Sequence, residues 1–397
     1  MVSEDDVLNL HRILHGKIQI QNRIPLDEIN NQEEKDSVLS ETISLIYTPG
    51  VAHVAEKIQK NKGLVYDYTS KWNTIAIICD GTRVLGLGNI GPEAALPVME
   101  GKSVIFRTMG GVNAIPLCID SQDQDEIVRF VKIVQPAFGA INIEDIESPK
   151  VLYIVDKLQK ELSIPIFHDD QHGTSIVTLA ALFNALKLIN KKKIDDLRIV
   201  IAGAGSAGYG IFKILRRTNC SNIIVVDKKG AIYRGRKKGG IDNPYKKEIA
   251  ANTNPEMKAG NLGDVIKESD VFIGVSGKAG LLTKQMVQSM KKDAIVFALS
   301  NPDPEILPSD AAKAGAKITA TGRSDYPNQI NNALVFPYIL RALLDTRSKK
   351  VDYAMLVGIA NAIASLVDKS QLKEDYILPK LNDLRLTSRI TRTLESN

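Results

Sequence analysis

Arg198-Ile199-Val200-Ile201-Ala202 reads as a buried strand and runs straight into Gly203-Ala204-Gly205-Ser206-Ala207-Gly208. No other stretch narrows the possible folds so far. The first glycine permits a tight turn, the second lets the backbone approach a pyrophosphate, and the third allows close packing of helix on strand. Gly208 to Arg217 continues as a helix, whose N-terminus offers N–H groups around Ser206 and Ala207. Asn222 to Val226 reads as the next strand and ends at Asp227, where an acid can meet the ribose hydroxyls. Strand, glycines, helix, strand and acid in this order predict a dinucleotide-binding unit. Lys228 and Lys229 follow Asp227. The carboxylate favours NAD and the lysines favour NADP; the balance goes to NADP, with dual use open.

A second match, Gly86-Leu87-Gly88-Asn89-Ile90-Gly91, lacks that context, because Pro92 follows at once and no acid closes the next apolar run, Ser103 to Phe106. It reads as a substrate-side loop. Alternation of strands and helices along the chain predicts an α/β fold with a mostly parallel sheet. The strands are Thr74 to Cys79, Val84 to Leu87, Ser103 to Phe106, Ala114 to Ile119, Ala140 to Ile143 and Ile164 to Phe167, with a helix from Gln124 to Val134. The second half adds a helix from Gly173 to Ile189 and strands Val271 to Val275, Ala294 to Leu299 and Lys317 to Ala320. Residues 1–45 read as polar helix broken at Pro25 and Asn30-Asn31, and the tail from Tyr353 as helical.

Two acidic clusters, Glu144-Asp145 and Asp169-Asp170, are separated by about one helix and one short strand, so they can converge on one hard divalent cation. A metal-bound oxyacid beside a nicotinamide is the chemistry this suggests. The domain boundary falls between about Phe167 and Thr174, which puts the acidic loop in an interdomain cleft. Expected boundaries are 1–168 for a substrate and metal domain, 169–345 for a Rossmann-type doubly wound domain, and 346–397 for C-terminal helices packing back on the first.

A net charge of +5 over 51 basic and 46 acidic residues is too weak and dispersed to argue for nucleic acid. The basic runs Lys191 to Lys193 and Arg234 to Lys238 read as solvated loops. No apolar stretch approaches the length needed to span a bilayer, and the N-terminus lacks the order of a signal peptide. Cys79, Cys118 and Cys220 form no paired framework, so each reads as a buried small hydrophobe in a reducing, cytoplasmic setting.

Tyr47-Thr48-Pro49-Gly50-Val51, Leu85 to Gly91, Met99-Glu100-Gly101-Lys102, Phe167 to Thr174 and Ser300-Asn301-Pro302 occur in order. Together they resemble the malic enzymes of the short prokaryotic type, from about Thr42 to Phe336. The resemblance implies oxidation and decarboxylation of L-malate to pyruvate and CO₂, with NAD or NADP and Mg²⁺ or Mn²⁺, by a homodimer. It makes Glu144, Asp145 and Asp170 metal ligands, with Asp169 orienting a ligand or the base. Lys102 becomes the general base and Tyr47 the acid that protonates C3 of the enolate. Arg83 would hold the malate carboxylate. Asn301 and Asn332 would contact substrate and nicotinamide, with Gly274-Val275-Ser276-Gly277 flanking the cofactor. Where short members carry a carboxylate after the Lys102 segment, this chain has Asn113, a change that bears on the tuning of the base if the two lie close. The rivals are a 2-hydroxyacid dehydrogenase that does not decarboxylate, and a non-catalytic dinucleotide sensor.

Overall fold

The computed structural model describes residues 5, 8, 10, 13–14, 17–18, 32–189, 193–237 and 240–395. Pro25, Asn30, Asn31, Lys191, Lys192 and Lys238, and the expectations placed on them, lie outside this set; of the N-terminal helix, Gln32–Ile46 is described.

Two parallel sheets organise the chain. The first has the order β2-β1-β3-β4, with β1 Thr74–Cys79, β2 Asn113–Cys118, β3 Ala140–Ile143 and β4 Ile166–His168. The second, six-stranded, has the order β10-β9-β8-β5-β6-β7. Its members are β5 Ile199–Ala202, β6 Ile223–Asp227, β7 Gly230–Ala231, β8 Val271–Gly274, β9 Ile295–Ala298 and β10 Ile318–Thr321. Among the described strands, only β7 pairs antiparallel. Thr-Ile-Ala-Ile-Ile-Cys in β1 and Ile-Val-Ile-Ala in β5 are buried throughout. Helices cover both faces of such strands, so they read as continuous apolar runs instead of alternating ones.

Two expected strands are corrected. Ser103 to Phe106 lies inside the helix Pro92–Gly110, and Val84 to Leu87 is a turn joined by one bridge from Val84 to Gly88. The β-branched local run is overridden by helical spacing, since Met99, Ser103, Phe106 and Gly110 all face inward. Pro92 opens this helix and Gly111, at φ 64°, closes it. Lys102 is therefore a helical residue.

The helix Gln124–Val134 starts on Asp123, whose carboxylate accepts from the N–H groups of Asp125 and Glu126. Between β4 and the buried helix Thr174–Leu188, Asp169–Gly173 forms one π-helical turn. The helix Phe336–Asp345 lies against Pro92–Gly110, with Phe336 edge-on to Phe106 at 4.9 Å. The tail contains Tyr353–Ala364 and Arg385–Glu395; the first packs on Thr174–Leu188, and Asn184 donates to the carbonyls of Ala364 and Ile377 at 2.9 Å each. One apolar cluster runs from the first sheet through Thr174–Leu188 to the near face of the second, and a smaller one fills its far face. Cys79 and Cys220 are buried, as expected, while Cys118 is partly exposed.

The helix Ser206–Arg217 sits directly on the acidic turn. A Cβ at Gly210 would stand 2.1 Å from the Gln171 carbonyl oxygen. Gly210→Ala is therefore expected to lower stability by about 1–3 kcal/mol through overpacking, read as a fall in Tm. An unchanged Tm would show that the two elements separate freely.

Candidate active site

Parallel strands end at the same edge of a sheet, and ligands gather there. Ile78 pairs with Ile143, and Ile143 with His168. The residues that follow, Glu144-Asp145 after β3 and Asp169-Asp170 after β4, are thus neighbours despite their separation in sequence. A buried Asp80 pairs with Lys150 at 2.6 Å and accepts from the Thr82 hydroxyl at 2.6 Å, while Thr82 Oγ1 accepts from the Glu147 N–H at 2.9 Å. This network pins the turn after β1 to the turn after β3. Asp145, at φ 49°, accepts the Arg83 N–H on its carbonyl at 3.0 Å.

Lys102 reaches this edge from its helix. Its ammonium donates to Asp169 Oδ2 at 2.8 Å and to Glu144 Oε2, 5.3 Å from the centre of the Phe336 ring. Asn332 Nδ2 donates to Asp169 Oδ2 at 2.6 Å and Asn142 Nδ2 to Glu144 Oε1 at 2.7 Å. Gly173 keeps the turn tight, because a Cβ there would stand 2.4 Å from Asp169 Oδ1.

Three carboxylates, Asp169, Glu144 and Asp145, thus act on one amine, and the electrostatics follow. Burial raises the Glu144 carboxyl well above its usual range, with Asp169 and Asp145 adding to it against Lys102. Burial likewise pushes Asp145 up to about 7 and raises Asp169. For Lys102, burial pulls the amine down, but Asp169, Glu144 and Asp145 overcome it and hold it well above its normal value. The ammonium is the favoured form, the reverse of the lowered amine that the sequence suggested for a base.

Among the described residues, no three Asp, Glu, His or Cys side chains already stand as a metal cage. The donor set nevertheless fits a hard cation. Asp145 Oδ2 and Asp169 Oδ1 are buried oxygens with no hydrogen-bond partner. His168 and His172 are core residues, their ring pKa values lowered by burial, that of His172 to about 3. His172 packs beside Phe167 and Tyr353.

Asn113 opens β2 opposite Thr74, at the other edge of the sheet, and accepts from Arg107 Nη1 at 3.2 Å. It does not touch Lys102. Tyr47 lies in the turn after Gln32–Ile46, 68% exposed, and makes no hydrogen bond to the acidic cluster among the described residues.

On the second sheet, Gly203 and Gly208 leave no room for side chains. Their Cβ atoms would meet the Val275 oxygen at 2.4 Å and the Gly203 oxygen at 2.0 Å. A Cβ at Gly205 would meet nothing within 4 Å, so space remains above the helix that begins at Ser206 with Ala207 and Gly208. Asp227 ends β6, but both its oxygens are occupied: Arg236 Nη1 and Nη2 donate at 2.8 and 2.9 Å, the Lys229 N–H at 2.8 Å, and Lys246 Nζ lies at 3.3 Å. Burial tends to raise this carboxyl, and Arg236 foremost holds it below its usual value. Lys228 is exposed. Arg236, read as part of a solvated run, is only 6% exposed. Its burial and the approach of Lys246 had no local signal, since both depend on how the loop after β7 folds back.

The cleft joins the two sheets. Arg83 Nη2 lies 3.4 Å from the Cβ position of Gly277, and the Cβ position of Gly86 lies 3.4 Å from Pro302 Cδ. The substrate-side loop therefore touches both Gly274-Val275-Ser276-Gly277 and Ser300-Asn301-Pro302. Asn301 packs on Gly322, whose Cβ would stand 2.7 Å from Asn301 Nδ2.

A Rossmann-type sheet, joined across a cleft to a parallel sheet with an acid–amine cluster, defines a two-unit dinucleotide-binding α/β protein. Two family models match, "Malic enzyme, N-terminal domain" over residues 27–159 and "Malic enzyme, NAD binding domain" over residues 171–393. The bifunctional malic/malolactic enzyme of Bacillus subtilis is 47% identical over 99% of this chain and 92% of its own. The NAD-dependent malic enzyme of Geobacillus stearothermophilus is 46% identical over 96% and 76%. The crystal structure of the NAD-dependent malic enzyme of Thermotoga maritima superposes with a TM-score of 0.90 at 40% identity, covering 100% of this chain and 99% of that one. The chain belongs to the malic enzyme family.

Proposed function

We propose that this protein oxidises L-malate and decarboxylates the product to pyruvate and CO₂, reducing a nicotinamide dinucleotide. The observation that carries the reading is the bonding of Lys102 to Asp169 and Glu144 at the sheet edge that faces the dinucleotide loops. Glu144, Asp145 and Asp170 would hold Mg²⁺ or Mn²⁺. When bound, the cation withdraws electron density from the substrate's C2 oxygen, and the dinucleotide accepts the C2 hydride.

The chain's own residues handle the protons. Lys102 Nζ first passes one proton to Asp169 Oδ2, to which it is bonded, and as the neutral amine then takes the C2 hydroxyl proton. Asn332 fixes Asp169 in the orientation this requires. Arg83, at the mouth of the cleft, pairs with a malate carboxylate, and Asn301 contacts substrate and nicotinamide without adding charge. Tyr47 protonates C3 after CO₂ departs; its exposure suits completion of the site in a homodimer. The substrate domain spans 1–168, the dinucleotide domain 169–345 and the C-terminal helices 346–397. Of the last, Tyr353–Ala364 packs chiefly on Thr174–Leu188 and Ser206–Arg217 of the dinucleotide part, where packing on the substrate domain is the sequence expectation. No helix among the described residues is long and apolar enough to cross a membrane, and we place the protein in the cytoplasm.

Turnover of malate with Mn²⁺ and each nicotinamide tests the reading. Pyruvate and CO₂ should form in step with reduced dinucleotide. Oxaloacetate as the sole stable product would establish a plain 2-hydroxyacid dehydrogenase, and tight dinucleotide binding without turnover a sensor.

NADP⁺ is accepted alongside NAD⁺ in this reading. An Asp227 whose lone pairs are taken by Arg236, the Lys229 N–H and Lys246 repels a 2′-phosphate less than a free carboxylate would, and Lys246 and Lys228 supply positive charge. Lys246→Met is expected to lower kcat/KM for NADP⁺ relative to NAD⁺ by roughly tenfold, the worth of one charge-assisted bond. Equal losses with both coenzymes would remove Lys246 from the selectivity.

A further inference from the structure

Glu305 lies in the loop after β9 and is completely buried, yet no lysine, arginine or histidine among the described residues pairs with it. Its donors are all neutral. Oε1 accepts from the Ser276 N–H at 2.8 Å, the Ser276 hydroxyl at 2.7 Å and the Ser300 hydroxyl at 2.5 Å; Oε2 accepts from the Ser300 N–H at 3.3 Å. Ser300 Oγ in turn accepts the Gly277 N–H at 2.8 Å. Gly274 makes room for the carboxylate, since a Cβ there would stand 2.4 Å from Glu305 Cδ.

A buried carboxylate with no cation is costly, and apolar packing would fill the same space without that cost. What the carboxylate adds is directed bonding to two loops at once: the one after β8 carries Val275 to Gly277, the one after β9 carries Ser300 and Asn301. Those loops form the dinucleotide side of the cleft. Val275 abuts Gly203 of the phosphate turn, Gly277 abuts Arg83, and Pro302 abuts Gly86.

We propose that Glu305 is a positioning residue for hydride transfer, which holds the two loops at the spacing that brings the nicotinamide against the substrate's C2 hydrogen. The proposal rests on the malic enzyme reading above. It predicts selective damage: decarboxylation of added oxaloacetate involves no hydride transfer and draws on the Lys102 edge of the cleft, remote from Glu305 in the bonding network.

The test compares wild type, Glu305→Gln and Ser300→Ala in the full chain with Mn²⁺. For each, kcat and the dinucleotide KM in malate oxidation, the rate of oxaloacetate decarboxylation, and Tm are measured. Glu305→Gln keeps the shape but turns an amide toward N–H groups that cannot reverse. Its kcat/KM for dinucleotide should fall on the order of ten- to a hundredfold, while oxaloacetate decarboxylation stays close to the wild-type rate. Ser300→Ala, which removes one hydroxyl, should shift the same ratio in the same direction by less, and it decides the matter if the glutamine variant does not fold. Parallel loss of both half-reactions with Tm, or unchanged malate oxidation in a folded variant, would overturn the proposal. Wild type that makes no pyruvate from malate would instead overturn the reading beneath it.

Discussion

Lys102→Ala is expected to abolish malate oxidation, with kcat reduced on the order of a thousandfold, the usual worth of a positioned acid–base group. The amine is the one cation bonded to Asp169 and Glu144 among the described residues. Its loss would also leave two buried carboxylates unpaired, which typically costs about 3–5 kcal/mol. Because the folded pKa of Lys102 lies above its unfolded value, the pairing contributes stability below the ordinary lysine range and loses it only as pH rises through the higher folded value. At neutral pH the full contribution is present. Tm of the alanine variant should therefore fall as well, and the two effects must be separated. Binding of reduced dinucleotide, followed by its fluorescence, serves that purpose, since the phosphate turn of Gly203 to Gly208 shares no bond with Lys102. Retained binding with lost turnover supports the base. Activity within a few-fold of wild type would exclude it.

The parts of this molecule legible in its sequence are those decided locally. β5, its glycines and β6 are bounded by turn residues within a few positions of where they were expected, because a strand buried on both faces needs an unbroken apolar run. Ser103 to Phe106 misled for the same reason: four residues carry no period, and Met99 and Gly110 had to be counted with them before the helix showed. Convergence of Glu144-Asp145 with Asp169-Asp170 was foreseeable, since parallel strands deliver their following residues to one edge. The state of Lys102 was not. It depends on how many carboxylates face the amine, a three-dimensional count, and that count reversed the expected shift. Asn113 erred through proximity in sequence, for the helix returns the chain to the opposite edge before β2 begins. Asn142 did leave a trace, as one amide inside an otherwise apolar strand. Glu305 and Arg236 left none, because each also needs a partner beyond its own loop, Ser276 for Glu305 and Asp227 for Arg236.

Asp145→Asn should weaken Mn²⁺ binding on the order of a hundredfold or more, measured by calorimetric titration of the metal in the absence of malate and dinucleotide. Three observations converge on this residue. Its backbone occupies the left-handed region at φ 49°, a conformation that a β-carbon makes unfavourable and that the surrounding structure must enforce. The enforcing bonds are visible: the Arg83 N–H holds its carbonyl, and the Asp80–Lys150 pair anchors both flanking turns. Held in this way, the carboxylate presents a buried oxygen, Oδ2, with no partner. Asparagine tolerates the same backbone and keeps the volume, so the substitution removes charge with little change of shape. The sign on stability is opposite to that on binding. Burial raises the Asp145 carboxyl to about 7, so without a cation the charged form works against folding above the usual aspartate range, increasingly as pH rises to that value. In metal-free protein near pH 8, Asp145→Asn should therefore unfold at the same temperature as wild type or higher, while binding Mn²⁺ far less well. Loss of both stability and metal affinity would assign Asp145 to the fold; unchanged affinity would remove it from the ligand set.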